Sequence, residues 1–185
     1  MVPEIHQEVE HKMEMSLTAL HKDLSRIRTG RASLALVDSI MIDYYGASTP
    51  LNQLATLAVP ESRLITIQPW DKSQIGTIEK AIQRSDLGLT PINDGQVIRL
   101  AIPALTEERR KELVKQVRKM GEEAKIAIRN VRREGNEGLK ALEKAKEISE
   151  DDCHRAQDEV QKTTNRFVLK VDEILSVKER EVMEV

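Results

Sequence analysis

Three arginines within five positions are the residues of this chain best suited to binding chemistry. Arg129, Arg132 and Arg133 stand in the stretch IAIRNVRREGNEGL, residues 126–139. A guanidinium group keeps its charge at physiological pH and can grip a phosphate through two parallel hydrogen bonds. A helix needs no such cluster to stay helical. The arginines are therefore either a solvated, salt-bridged surface or a face that binds anions.

The spacing of neighbouring basic residues extends this cluster into a row. The basic row consists of Arg118, Lys125, Arg129 and Arg132. Its members are seven, four and three residues apart, so they share one helix face, about 100° around from the apolar stripe. We expect this row to be solvated, at the edge of the buried stripe. Such a row suits the phosphates of an RNA backbone, and an ion-paired helix surface is the alternative.

A second group of arginines ends the first predicted helix. The segment SRIRTGR, residues 25–31, contains Arg26, Arg28 and Arg31. These side chains either add to the RNA-binding surface or interact with the negative end of the helix dipole.

The overall charge does not by itself indicate a nucleic-acid partner. The 185 residues hold 29 Lys and Arg against 31 Asp and Glu, a net charge of −2, so any basic surface must be local. Residues 107–133 hold ten basic and five acidic residues, whereas residues 134–185 hold nine and fourteen. Aromatic residues make up only 2% of the chain, which argues against a sheet that stacks RNA bases.

No set of residues predicts catalysis. The four histidines are scattered, and the single cysteine, Cys153, excludes an internal disulfide and is consistent with a reducing cytosol. The phosphate-cradling G-x-x-x-x-G-K-[ST] motif, the G-x-S-x-G motif and paired histidines at metal spacing are all missing from the sequence. We expect no catalytic residue, no metal and no cofactor, and therefore not an enzyme. Without a signal-like start or an 18-residue apolar stretch, we expect a cytoplasmic monomer without a membrane anchor.

Three segments carry the apolar periodicity of long helices. The first stripe runs from Ile5 to Ile27. The second opens after the N-cap candidate Thr106 and includes Met120 and Val131. The third opens after Ser149, which can cap the helix, and includes Ile174. The second spans roughly 60 Å at about 1.5 Å per residue. Helices with one apolar stripe bury one another most simply as a bundle. We predict an α+β protein, with a three-helix-bundle domain at residues 1–30 and 106–185.

Residues 31–105 predict a small α+β domain inserted into that bundle. DSIMIDYYG, LITIQPW and QVIRLAIP are β-branched or alternating runs, and SQIGTIEKAIQRSDLGL reads as a short helix ending near Gly88. The chain crosses between the domains twice, which suggests a limited hinge. The expected hinge residues at these crossings are Thr29, Gly30, Pro103, Ala104 and Leu105.

Eight ordered motifs give the sequence a resemblance to the ribosome recycling factor family over nearly its whole length. They are RTGRAS, YYG, TPLNQLA, IEKAI, SDLGL, LTEERRKEL, IRNVRRE and EISEDD. The resemblance implies a three-helix bundle with an inserted β/α/β domain, L-shaped overall. It implies binding to rRNA of the large ribosomal subunit. With elongation factor G, which hydrolyses the GTP, such a factor splits post-termination ribosomes into subunits and releases mRNA and tRNA.

The resemblance also implies roles for particular residues. The rRNA-contacting arginines of the family correspond to Arg129 and Arg132, with Arg28 and Arg31 near the elbow. Family members usually carry proline where this chain has Leu34, so the first crossing should be less stiff here. The rival hypothesis is a coiled-coil scaffold that binds protein helices and ignores RNA, and a hydrolase is a nominal third.

Overall fold

The protein is described here by a computed structural model of residues 1–184, which divides into two compact units. The first unit combines Met1–Arg28 with the described chain from Thr106 onward, and the second is Thr29–Leu105. Long helices build the first unit, and small antiparallel sheets with one helix build the second. The α+β class predicted from the sequence is confirmed.

The first unit contains three of the four α-helices. In chain order the helices are α1 (Val2–Ser25), α2 (Ile75–Arg84), α3 (Glu107–Lys144) and α4 (Glu150–Met183), and α2 belongs to the second unit. Thr106 Oγ1 accepts the N–H of Arg109 at 3.2 Å, and Ser149 Oγ accepts the N–H of Asp152 at 3.1 Å. These bonds satisfy N–H groups that a helix start leaves unpaired, so α3 and α4 begin where the capping patterns predict.

The buried side of the bundle follows the predicted stripes with one-residue differences. On α3, Gly121 is buried while Met120 and Val131 are only half-buried; on α4, Leu175 is buried in place of Ile174. The difference arises because Gly121 has no side chain, so α4 can approach α3 closely there. The largest fully buried side chains of the bundle are Met13, Ile128, Leu139 and Phe167.

Two glycines within α3 face α1 at different distances. A Cβ on Gly135 would lie 2.6 Å from Val9 Cγ2, inside van der Waals contact. A Cβ on Gly138 would lie 3.4 Å from Ile5 Cδ1, an ordinary contact. Close helix packing therefore explains Gly135, whereas Gly138 is not required by packing.

The second unit contains two antiparallel sheets. Strands β1 (Met41–Tyr44) and β2 (Ala47–Pro50) form a hairpin. The other strands are β3 (Ala55–Glu61), β4 (Leu64–Pro69), β5 (Pro91–Asn93) and β6 (Ile98–Ala101), in the sheet order β3-β4-β6-β5. Helix α2 buries Ile78 and Ile82 in the core of this unit, together with Ile42, Ile65 and Leu100.

Three strands and one helix end differ from the sequence interpretation. Strands β2, β3 and β5 carry little apolar alternation; β3 and β5 are the sheet edges, and most of β3 is exposed. Strand β2 forms because Tyr45 and Gly46 both have positive φ, 49° and 85°, as a two-residue hairpin turn of this hand requires. Helix α2 ends at Arg84, short of Gly88, because Ser85 is already extended.

Both connections at the ends of the second unit are hydrogen-bonded to the turn between β3 and β4. Ala32 N–H donates to the Ser62 carbonyl at 2.7 Å, and Ile102 N–H donates to the Arg63 carbonyl at 2.8 Å. Gly30 has φ +73°, and a Cβ there would lie 3.0 Å from Leu105 Cγ. This position therefore needs glycine for both its backbone conformation and its neighbour.

Leu34→Pro is expected to leave the protein folded. Leu34 opens a 3-10 turn, Leu34–Leu36, and the preceding Ser33 is extended (φ −138°, ψ 137°). The first position of a helical turn tolerates proline, and an extended residue before it avoids the proline ring. Loss of part of the leucine packing against the core offsets the gain from a stiffer unfolded chain, so we expect the melting temperature to change little. Loss of cooperative melting by circular dichroism would contradict this prediction.

The turn between β5 and β6 predicts an acid-sensitive contribution to stability. Asp94 accepts the N–H groups of Val97 (2.8 Å) and Gln96 (2.9 Å), and Arg99 Nη1 donates to its other oxygen at 2.6 Å. The Val97 N–H first, then Arg99, hold the pKa of Asp94 well below its usual range. The depressed pKa in the folded state means that this contribution is present above the unfolded pKa, about 3.9, and is lost as the pH falls through the folded value.

At pH 7, Asp94→Ala should therefore unfold at a lower urea concentration than the parent. The difference between the two unfolding midpoints should shrink as the pH falls below about 4. The fluorescence of Trp70, the single tryptophan, reports on this unit. Ser39→Ala, at an exposed position of the same unit, is the control. A gap between parent and Asp94→Ala that is equal at pH 7 and pH 3 would contradict the assignment.

Candidate nucleic-acid interface

Helix α3 is the rigid element that positions the basic row. Its 38 residues extend about 57 Å at about 1.5 Å per residue. Glu107 and Glu108 in its first turn complement the positive helix end. The helix runs without interruption through Gly135 and Gly138, so all members of the basic row lie on one continuous helix.

The first two members of the basic row are paired with carboxylates on α4. Arg118 Nε lies 2.9 Å from Glu179 Oε1, and its Nη2 lies 3.3 Å from Oε2 of the same residue. Lys125 Nζ lies 2.6 Å from Asp172 Oδ1. The hydrogen bond that Arg118 donates to Glu179 raises the pKa of Arg118 above its usual value, and the hydrogen bond that Lys125 donates to Asp172 does the same for the pKa of Lys125.

Exposure separates these two side chains. Arg118 keeps 68% of its side-chain surface exposed, but Lys125 keeps only 15%. The expectation of a solvated row is therefore wrong for Lys125, because most of its side chain is buried and its ammonium group is paired with Asp172 on α4. These two positions belong to the line of contact between α3 and α4, called the α3–α4 seam below.

The pairing along the α3–α4 seam has a fixed register. Arg118 meets Glu179 and Lys125 meets Asp172, so seven residues forward on α3 correspond to seven residues back on α4. The next step of seven brings Arg132 opposite position 165, which is Asn165. At this step the carboxylate is replaced by a neutral amide.

Arg132 is the half-buried member of the row without a carboxylate partner. Its Nη1 donates to Gln161 Oε1 at 2.9 Å. Its Nε is buried and has no hydrogen-bond partner within residues 1–184. It makes no ion pair with any residue of that range, so its positive charge is not neutralised within the described chain.

Arg129 and Arg133 lie on either side of Arg132 along the helix, and both are exposed. The side chain of neither residue makes an ion pair or a hydrogen bond with another residue among those that the structure describes. The arginine cluster, defined as Arg129, Arg132 and Arg133, is therefore a surface of three guanidinium groups without a carboxylate partner. It lies near the middle of α3, beyond the two ion-paired members of the row.

The two other predicted arginines lie in different units. Arg28 is the last residue of the first stretch of the bundle, and Arg31 belongs to the second unit; both are exposed. Each also has an interaction within the described chain, so neither is a free cation.

Gln161 and Asn165 are the site residues that the sequence interpretation missed. Gln161 Nε2 donates to Asn165 Oδ1 at 2.9 Å, which fixes the amide that accepts from Arg132. An exposed amide on a helix carries no signal in one sequence. The signal that could have found them is the seven-residue series 179, 172, 165 on the third predicted helix, in which two carboxylates are followed by an amide.

Other classes of site receive no structural support. Among residues 1–184, no group of three or more His, Cys, Asp or Glu side chains could hold a metal ion. None of the helices described there is long and apolar enough to cross a membrane. Cys153 is buried, and burial first, then a hydrogen bond with Glu143, raises the pKa of its thiol. A thiol held in this way is a packing residue rather than a nucleophile.

These features define a two-unit α+β protein whose helical bundle presents an arginine surface. Comparison with known proteins assigns it to a family of translation factors. Residues 20–183 match the family described as RRF: Ribosome recycling factor. The ribosome-recycling factor of Oleidesulfovibrio alaskensis is 60% identical over 178 residues, covering 96% of this chain and 97% of that protein. That of Bacillus pumilus is 55% identical over 185 residues, covering all of both chains.

Solved structures agree with this assignment. A solution structure of the ribosome recycling factor matches with a TM-score of 0.75 and 41% identity, over 100% of this chain and 98% of that one. The Thermus thermophilus factor, described with Escherichia coli elongation factor G bound to the E. coli post-termination complex, matches with a TM-score of 0.64 and 45% identity over the full length of both. The chain belongs to the ribosome recycling factor family, and the resemblance of its motifs is confirmed.

Proposed function

We propose that this chain binds rRNA of the large ribosomal subunit and, together with elongation factor G and GTP, splits post-termination ribosomes into subunits. The split releases mRNA and tRNA for a new round of initiation. Family membership supports the recycling role, and a relative has been described with elongation factor G on a post-termination complex. The single observation that carries the rRNA contact is the arginine cluster, which is exposed or half-buried and has no carboxylate partner.

Phosphate is the anion that this surface fits best. Each guanidinium offers several donors in a planar fork, and phosphate oxygens accept them in pairs. Duplex RNA is recognised mainly by shape and by backbone contacts, which requires few aromatic side chains. The chain has only four aromatic residues, and none of them lies on α3. Arg118, Lys125, Arg28 and Arg31 also contribute to rRNA binding in this proposal, where they exchange their partners within the chain for rRNA phosphates.

The mechanism requires no catalytic group in this chain. The elongation factor hydrolyses GTP, and the chain transmits force as a cytoplasmic, monomeric factor. The bundle is the part held by rRNA, and α3 is its longest rigid element. The second unit is the proposed site of contact with the elongation factor. The connecting residues Thr29, Gly30, Leu34, Pro103, Ala104 and Leu105 act as the hinge.

The proposed function is tested by sedimentation of post-termination ribosomes. The purified chain with a cognate elongation factor G and GTP should convert these ribosomes to subunits. The same mixture with a non-hydrolysable GTP analogue, and a mixture without the chain, are the controls. Intact ribosomes in the complete mixture would overturn the proposal.

Salt dependence distinguishes rRNA binding from a helix scaffold. Binding through phosphates weakens linearly with the logarithm of salt concentration, by roughly 0.7–0.9 units of slope for each phosphate contact, whereas an apolar helix interface does not weaken in this way. Binding to isolated large subunits that is independent of salt between about 50 and 200 mM would favour the scaffold and contradict the rRNA contact.

A further inference from the structure

At the α3–α4 seam, Arg132 lacks a carboxylate partner among residues 1–184. Two of the seam's register steps pair a cation with a carboxylate, Arg118 with Glu179 and Lys125 with Asp172. At the third step, Arg132 donates a hydrogen bond to Gln161, and Gln161 in turn donates one to Asn165. A carboxylate here would complete the series, and α4 places two neutral amides there instead.

We infer that Gln161 and Asn165 are positioning residues for Arg132, which hold its guanidinium ready for a phosphate without neutralising its charge. This inference rests on the proposed rRNA contact and deepens it by naming the residues that prepare it. It concerns one guanidinium and the phosphate oxygens of an RNA backbone.

The geometry explains how an amide pair can do this. Gln161 Oε1 accepts from Arg132 Nη1, while Gln161 Nε2 is held by Asn165 Oδ1, so the amide plane is fixed from both sides. Nε of Arg132 is buried, which leaves Nη2 as the terminal nitrogen without a protein partner among residues 1–184. A neutral acceptor orients a guanidinium at little electrostatic cost, whereas a carboxylate would have to be displaced or would repel the incoming phosphate.

Arg132 is less exposed than the other two members of the arginine cluster, and this difference affects how each side chain can bind. Arg129 and Arg133 are exposed and have no partner within the described chain, so their side chains must be ordered when they bind. Arg132 is half-buried and already held by one hydrogen bond. It should therefore lose less conformational freedom on binding than its two neighbours, and its guanidinium group should be the best oriented of the three.

The test adds one charge without changing shape. Gln161→Glu should give Arg132 the carboxylate that the other seam cations have. We expect a melting temperature equal to or above that of the parent, and binding to the large subunit about threefold to tenfold weaker, since the new ion pair competes with phosphate. The salt slope of binding should fall by up to about one unit, because Arg132 no longer displaces counterions from a phosphate.

Two further variants separate positioning from other effects. Gln161→Met removes the hydrogen bonds but adds no charge, so we expect a loss of about threefold or less with an unchanged salt slope. Gln157→Glu, one turn earlier on α4, adds the same charge at a residue that makes no hydrogen bond to Arg132 and should bind within about twofold of the parent. An equal loss in Gln157→Glu and Gln161→Glu would show general repulsion and overturn the inference.

A double-mutant comparison decides whether Gln161 acts through Arg132. In the Arg132→Ala background, Gln161→Glu should change the affinity by less than about twofold. If Gln161→Glu weakens binding in the Arg132→Ala background as much as it does in the parent, the inference is overturned. If Arg132→Ala weakens binding but Gln161→Glu does not, the positioning role fails while the proposed rRNA contact stands. If Arg132→Ala itself binds normally, the rRNA contact of Arg132 fails, and with it the inference.

Discussion

Arg132→Ala is expected to bind the large ribosomal subunit about ten- to a hundredfold more weakly than the parent. A hydrogen bond from a charged group contributes roughly 1.5–3 kcal/mol, and each 1.4 kcal/mol corresponds to about tenfold in affinity. The guanidinium has no carboxylate partner within residues 1–184, so its interaction energy is available to an external anion. The salt slope of binding should decrease by about one unit or less.

The fold should survive this substitution. The side chain is half-buried and makes one hydrogen bond, to Gln161, so its removal should cost about 1 kcal/mol or less of unfolding free energy. Arg132→Lys should recover only part of the binding, because an ammonium group cannot reproduce the planar fork. Both variants are measured by thermal melting and by equilibrium binding to purified large subunits at several salt concentrations.

The matched control removes one positive charge elsewhere on the same helix. Lys144→Ala, in the last turn of α3, is exposed and should bind within about twofold of the parent. Equal affinity of Arg132→Ala and the parent at physiological salt would make the arginine cluster an ordinary solvated surface. A comparable loss in Lys144→Ala would show that only total charge matters and not the position of Arg132.

Gly121→Ala and Gly138→Ala are expected to change stability in opposite directions. A Cβ at residue 121 would lie 2.2, 2.8 and 2.9 Å from Cδ1, Cδ2 and Cγ of Leu175. Three carbons of one buried side chain cannot all give way by a small rotation, so the packing between α3 and α4 must change. A Cβ at residue 138 would meet only Ile5, at 3.4 Å and 4.0 Å from its two outer carbons.

The two substitutions share the same helix propensity, about 1 kcal/mol in favour of alanine in a helix interior, so their difference isolates packing. Overpacking a core costs about 1–3 kcal/mol. We therefore expect Gly138→Ala to raise the unfolding free energy by up to about 1 kcal/mol. The unfolding free energy of Gly121→Ala should be about 1–3 kcal/mol lower than that of Gly138→Ala. At about 2–4 °C per kcal/mol for a chain of this size, melting followed by helical circular dichroism resolves the difference.

Leu175→Ala provides the complementary control. Removal of the clashing side chain costs stability by itself, but Gly121→Ala should then be tolerated in the Leu175→Ala background, because the space it needs is vacant. Additive losses in the double variant would show that the close approach at Gly121 is not the cause of the destabilisation. A Gly121→Ala protein that is as stable as Gly138→Ala would contradict the packing explanation directly.

The sequence by itself determined the parts of this protein that depend on local pattern. The apolar stripes and the capping residues Thr106 and Ser149 predicted three long helices, since an N-cap and a 3.6-residue period are properties of neighbouring residues. Ordered motifs along nearly the whole chain predicted the family, which comparison confirms. The arginine cluster was visible because its residues lie close together in the sequence.

Only the tertiary structure decided what depends on contacts between distant segments. Strands β2, β3 and β5 gain their hydrogen bonds from neighbours in the sheets and have little pattern of their own, so the sequence did not predict them. The burial of Gly121 in place of Met120 follows from the approach of Leu175, 54 residues further along the chain.

The electrostatic difference among the basic residues was also decided by the tertiary structure. In the sequence, Arg118, Lys125 and Arg132 are equivalent members of one row. Packing against α4 gives the first two a carboxylate each and gives Arg132 only Gln161. A cation is neutralised when the facing helix places a carboxylate within hydrogen-bond distance, and it stays available to an external anion when the facing side chain is neutral. The register of the two helices decides which side chain faces the cation, so neither sequence segment alone determines it.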